Sequence, residues 1–148
     1  MNGQYQPDRV AADLIRHALI ARERAYAPYS RFRVGSALLD KQGNVHYGCN
    51  VENAAYGPTN CAERTALFRA IADGQAPGSF VALAVAGDTE GPISPCGVCR
   101  QVMFELCAPG MPVYLTNLNG DVAETTVSSL LPGAFGPANL ASDPEPSP

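Results

Sequence analysis

The eight-residue run FVALAVAG, residues 80–87, constrains the fold more than any other stretch of this chain. It is of strand length, far short of the ~20 apolar residues that a membrane-crossing helix needs. It shows no polar alternation, so a strand here has to be covered on both faces. Helical patterns stand before and after it in the sequence, so helices supply the covering layers. The chain's 148 residues suit one domain with a sizeable core and are too few for two comfortable ones.

The other elements follow from period and punctuation. Val10, Leu14, Ala18, Ala21 and Ala25 recur at helical spacing, with Ile15 and Leu19 widening the stripe, which predicts a helix from Asp8 to about Ala25. Ala27-Pro28 ends it. His17 falls off the stripe and reads as an exposed helix residue. Two strand-like runs, about 32–40 and 44–50, flank Lys41-Gln42-Gly43 and read as a hairpin. Helices are predicted from about Cys61 to Asp73, stopped by Gly74, and from Cys96 or Gly97 to Cys107. MPVYLTN and VAETTV give two more short strands, and SSLLPGAF gives one helical turn and a bend. The resulting fold class is α/β: a three-layer α/β/α sandwich around a mixed five-stranded sheet. Residues 1–7 are expected to be frayed, 8–140 to form a single catalytic domain, and 141–148 to form a loose tail. No internal repeat is present.

Ten basic residues against fourteen acidic ones give a net charge of −4, a poor balance for gripping a phosphate backbone, so nucleic acid is not an expected partner. Nine of the ten basic residues are Arg; Arg22, Arg24, Arg31 and Arg33 read as a solvated or subunit-facing patch. The N-terminal MNGQYQPDRV has no signal-peptide apolar segment, and no membrane association is expected. Five cysteines in no regular disulfide pattern fit a reducing, cytoplasmic setting, where clustered thiols serve metal binding or catalysis.

Three of those thiols stand at predicted helix starts. Cys96 and Cys99 form a C-x-x-C on one helix face, and Cys61 opens the other helix. A redox dithiol is the competing reading of a lone C-x-x-C, but the third thiol favours one Zn²⁺. A fourth tetrahedral position is then left, open in a catalytic site and closed by protein in a structural one. Cys107, eight residues and roughly 12 Å along the helix from Cys99, cannot close it. Cys49 is not excluded by distance, although a single cysteine in a strand usually packs as a small apolar residue. His46 alternates with Val45 and Tyr47 on its strand and is an unpromising ligand.

Glu63 follows Cys61 by two residues and is placed to carry a proton beside a metal-activated water. Three thiolates overcompensate a divalent ion, and two helix N-termini, each worth about half a positive charge, offset the excess. Arg64 could add to that by donating to a thiolate, or form an ordinary surface ion pair.

Cys61-Ala62-Glu63 with Pro95-Cys96-x-x-Cys99 resembles the zinc-dependent nucleoside and nucleobase deaminases, and more narrowly the small homotetrameric cytidine deaminases. The likeness runs from about residue 10 to about residue 140. It implies one zinc per chain on Cys61, Cys96 and Cys99, with Glu63 as the catalytic proton carrier. AYAPYSRFRVGSALL resembles the family's first strand and its lead-in, so Phe32 would pack near the substrate; Ser36 stands where Ala is more usual. CNVENAAYG resembles its sugar-binding loop, so Asn50 and Glu52 would bond the ribose 3′-hydroxyl, with Tyr56 helping to form a pocket, including one in a neighbouring subunit. LLPGAF resembles its C-terminal segment, so Phe135 would close over a pyrimidine, reaching into an adjacent subunit's pocket. The Ala62 N–H and the Ser94-Pro95 carbonyl region would orient the base.

The reaction so implied is hydrolytic deamination of cytidine and 2′-deoxycytidine to the uridines with release of ammonia, in pyrimidine salvage. Three other readings share the metal motif: a deaminase for antibiotics of the blasticidin S type, a polynucleotide-editing deaminase, and a non-catalytic structural zinc module. The Asn50–Glu52 segment and LLPGAF favour the plain nucleoside, the acidic balance disfavours the polynucleotide, and Glu63 disfavours the inert module.

Overall fold

The computed structural model describes residues 7–140, so most of the expected frayed start and all of the expected tail, 141–148, lie outside the described residues. Five strands are present: β1 Val34–Asp40, β2 Val45–Cys49, β3 Phe80–Gly87, β4 Pro112–Thr116 and β5 Val122–Thr126. They form one sheet in the order β2-β1-β3-β4-β5. Only β3 and β4 pair in parallel; the other neighbours are antiparallel, which makes the sheet mixed as expected.

Helix α1, Pro7–Arg22, covers one face of the sheet; α2, Ala62–Ala72, and α3, Gly97–Leu106, belong to the core on the other. Strand β3 is buried on both faces and serves both cores. Ala82, Ala84 and Ala86 meet Leu14 and Ala18 of α1, whereas Leu83 and Val85 join Leu67 and Met103 of α2 and α3. The alanine face lets α1 lie close to the sheet. Close approach is most demanding at two glycines. A Cβ on Gly35 of β1 would stand 2.0 Å from the Ala18 carbonyl oxygen, and one on Gly48 of β2 would stand 2.3 Å from that of Ala62. The second approach seats the first turn of α2 directly on β2.

Several predicted boundaries move. Helix α1 ends at Arg22 and not near Ala25, because Glu23, Arg24 and Ala25 donate to carbonyls three residues back in a tightening last turn. The chain then extends so that Tyr26 bridges Val51. His17 is not simply exposed: it is half-buried, hydrogen-bonds the Tyr47 hydroxyl and packs edge-on against that ring, with centroids 5.3 Å apart. Cys61 is the N-cap of α2 and not its first helical residue, whereas α3 starts at Gly97, one of the two expected starts, with Cys96 as its cap. SSLLPGAF holds the one turn and bend expected of it, α4 Val127–Leu130, and a further single turn, α5 Pro137–Leu140, follows where none was predicted. Among the described residues no helix is long and apolar enough to cross a membrane.

Candidate metal centre and cleft

Cysteine is an uncommon N-cap, and here two N-caps are cysteines. Both adopt the extended backbone usual at an N-cap, φ −75° and ψ 158° at Cys61 and φ −68° and ψ 164° at Cys96. The Cys61 and Cys96 sulfurs lie 3.7 Å apart, and all three sulfurs, with Cys99, lie within 4.8 Å of one another. Tetrahedral zinc with bonds of about 2.3 Å needs S···S separations of about 3.8 Å, so the sulfurs fit that ion. Among the described residues no fourth Cys, His, Asp or Glu joins the cluster.

The surroundings favour thiolates. The Cys99 N–H donates to the Cys96 sulfur across 3.4 Å, and Arg64 Nη2 donates to the Cys61 sulfur across 3.2 Å. Of the two readings of Arg64, the structure realises the donor to sulfur. A hydrogen bond from the Cys99 thiol, joined by Arg64 and Cys96 and outweighing burial, pulls the Cys61 thiol down to about 5. The same bond, together with burial, pushes Cys99 up. The cluster can therefore coordinate one Zn²⁺ per chain.

Glu63 is 4 % exposed, in the first turn of α2. Burial, with the Cys61 charge adding to it, pushes its carboxyl above the ordinary 4.5 against the opposing hydrogen bond with Cys99.

A cleft of about 450 Å³ opens over this floor. Ser30, Phe32, Val34, Asn50, Glu52, Thr59 and Asn60 line it together with Thr89, Ile93 and Ser94, and Cys61, Ala62, Glu63 and Cys96 belong to the same lining. Asn50 fixes the lead-in to β1: its Oδ1 accepts from Val34 N at 2.8 Å and its Nδ2 donates to the Phe32 carbonyl at 2.7 Å. Glu52 Oε1 accepts the Tyr29 and Ser30 amides at 2.9 and 3.1 Å, and Oε2 accepts the Ser30 hydroxyl. These bonds hold the Glu52 carboxylate below its ordinary pKa of 4.5, the Ser30 hydroxyl contributing most. Both residues thus build the cleft wall as well as lining it.

Two of the expected substrate residues stand apart from this cleft. Tyr56 is 83 % exposed and lines an adjoining hollow of about 390 Å³ that shares Ser30, Glu52 and Thr59 with the cleft. Phe135 is 59 % exposed, its carbonyl held by Gln101 Nε2 at 2.8 Å. Cys49, left open as a ligand by the sequence, lies in a different cleft beside Arg24, Tyr47 and Arg69 and donates to the Arg24 carbonyl. Burial raises its pKa against the charge of Arg24. His46 is bound to Asp40 at 2.9 Å and takes no part in the cluster. Thr89 and Ile93 were not anticipated; the segment that carries them has no periodicity to read, and only its place before Pro95-Cys96 hinted at a role.

Fold and cluster together define a metal enzyme of the α/β/α class with thiolate ligands at two helix starts. Residues 9–115 match the family model described as the cytidine and deoxycytidylate deaminase zinc-binding region. A cytidine deaminase of Sporosarcina psychrophila is 61% identical over 128 residues, covering 86% of this chain and 93% of the relative. One from Halalkalibacterium halodurans is 62% identical over 122 residues, covering 82% and 91%. The crystal structure of cytidine deaminase from Burkholderia pseudomallei superposes with a TM-score of 0.83 at 60% identity, covering 84% of this chain and 98% of that one. The chain belongs to the cytidine and deoxycytidylate deaminase family.

Proposed function

We propose that this chain catalyses the zinc-dependent hydrolysis of cytidine and 2′-deoxycytidine to uridine and 2′-deoxyuridine, releasing ammonia. The observation that carries the reading is a buried Glu63 beside three convergent sulfurs at the floor of an open cleft. The names of the relatives agree with it.

Cys61, Cys96 and Cys99 would hold the zinc, which supplies a Lewis acid able to activate water at neutral pH. Glu63, its carboxyl raised by burial, takes up a proton, places it on ring N3 and later delivers one to the leaving amine. Ala62 would offer its N–H to the base from the first turn of α2, and the Ser94–Pro95 carbonyl region would orient the base with it. Arg64 and the N-termini of α2 and α3 draw charge from the thiolates, which keeps the site acidic enough to work. Phe32 supplies an apolar surface for the ring, while Asn50 and Glu52 use their remaining hydrogen-bonding capacity on the sugar.

Exposed Tyr56 and Phe135 would complete the cleft of a neighbouring copy in a homotetramer. Residues 8–140 would act as one catalytic domain of a cytoplasmic salvage enzyme whose only partners are its substrate and its own copies. The test is to incubate zinc-loaded protein with cytidine and follow uridine and ammonia together. Equal amounts of both, lost on chelation and restored by zinc, are expected. No product despite one tightly held zinc per chain would overturn the reading.

A further inference from the structure

Nine residues, 88–96, join β3 to α3 and contain no regular secondary structure. They nonetheless carry one wall of the cleft, Thr89, Ile93 and Ser94, and end at the ligand Cys96. A segment without a strand ladder opens easily unless side chains supply the missing bonds. Two side chains that line no part of the cleft do this, one at each end.

Asn117 follows β4 and is 1 % exposed. Its Nδ2 lies 3.1 Å from the Thr89 carbonyl oxygen, 3.0 Å from that of Glu90 and 2.8 Å from Asp121 Oδ2. Its Oδ1 accepts the Asn119 and Asp121 amides, each at 3.0 Å, so the whole amide is committed. At the other end Arg100, on α3, donates from Nε to the Pro95 carbonyl at 2.8 Å and from Nη2 to the Ser94 hydroxyl at 2.7 Å. Its Nη1 reaches the Leu130 carbonyl at 2.9 Å, tying this wall to α4. Between the two clamps, Ile93 N donates to the Thr116 carbonyl. Bonds from a charged donor are the stronger kind, and the amide is buried, so neither end is easily released.

We propose that Arg100 and Asn117 are positioning residues that hold segment 88–95 as a rigid wall and thereby set the affinity of the cleft for a pyrimidine nucleoside. The catalytic floor is held by α2 and by the backbone of the first turn of α3, where Arg100 N donates to the Cys96 carbonyl at 3.0 Å whatever side chain residue 100 carries. Loosening the wall therefore weakens substrate binding more than the chemical step. The affinity part rests on the deamination reading above; the mechanical part does not.

The test uses Arg100→Met and Asn117→Ala in the full, zinc-loaded chain, with Arg100→Lys as a conservative variant that folds if Arg100→Met does not. Hydrogen exchange at 88–95, zinc content, KM and kcat for cytidine are measured on each. Expected are faster exchange confined to 88–95, one zinc per chain, a KM raised at least ~5-fold and a kcat within ~3-fold of wild type, with Arg100→Lys intermediate. Unchanged exchange in the segment overturns the proposal, as does a fall in kcat at constant KM or a loss of zinc. A wild type that leaves cytidine untouched fails the assigned reaction and not the clamp, which the exchange measurement still decides.

Discussion

Ser36 donates its hydroxyl to the Ala62 carbonyl across 2.7 Å, joining the middle of β1 to the first turn of α2. Both residues are fully buried, and the turn they hold carries Cys61 as its cap and Glu63 as its second residue. The Ala62 carbonyl keeps the i+4 bond of its helix in any case, so the hydroxyl adds a neutral hydrogen bond to an already paired acceptor. Ser36→Ala is therefore expected to cost about 1 kcal/mol, a fall in Tm of roughly 2–4 °C, with zinc content and kcat near wild type. Thermal melts and a cytidine assay check this. A tenfold loss of kcat would show that the hydroxyl positions the site and does more than brace it.

Gly48 makes the opposite demand on the same turn. An added Cβ would meet the Ala62 carbonyl oxygen at 2.3 Å, Ala66 N at 2.5 Å and Ser36 Oγ at 2.6 Å, and the first two are backbone atoms with nowhere to go. Helix α2 has to lift from β2 or rotate, which displaces Cys61 relative to Cys96. Gly48→Ala should lose about 1–3 kcal/mol of stability and bind less than one zinc per chain. Melting curves and metal analysis of the purified variant test it; full zinc occupancy at wild-type Tm would mean that the helix–strand contact is looser than these distances say.

Glu63 is not a member of the sulfur cluster, so replacing it should spare the metal. Glu63→Gln keeps shape and polarity but cannot carry a proton, and general acid–base work of this kind is worth ~10²–10⁴ in rate. The expected outcome is one zinc per chain with kcat reduced at least ~10²-fold. Near-normal turnover would remove Glu63 from the proton path and leave the substrate walls as the main source of catalysis.

What could be read in the sequence was whatever depends on local pattern. FVALAVAG announced a strand covered on both faces, and β3 does pack against both helical layers. The three thiols were legible because metal-ligand chemistry restricts both residue type and spacing, and they converge. Relations set by tertiary closure were not. Nothing near Arg100 in sequence points to Leu130, thirty residues on, and nothing near His17 points to Tyr47. Asn50 and Glu52 carried a resemblance to sugar-binding positions, but their commitment to the backbone of residues 29–34 depends on a loop path that periodicity does not encode.

Asp40 closes β1 at the end remote from the cleft, some six residues and roughly 20 Å from Val34. It is 1 % exposed, accepts the Gln42 and Asn44 amides on Oδ1 at 2.9 and 3.0 Å, and meets His46 Nε2 on Oδ2 at 2.9 Å. Burial pushes this carboxyl up, but the bond from His46 and those from Asn44 and Gln42 together outweigh it and hold Asp40 below the ordinary 3.8. The sign follows from linkage: a carboxyl whose folded pKa is depressed contributes stability that is present above its unfolded value and lost as pH falls through the folded one. Asp40→Asn should therefore lower Tm by roughly 5 °C at pH 7, and the gap to wild type should narrow once the pH drops below 3.8. Paired melts from pH 7 to pH 3 measure that gap. A difference that stays constant across the whole range would mean that the hairpin depends on the shape of residue 40 and not on its charge.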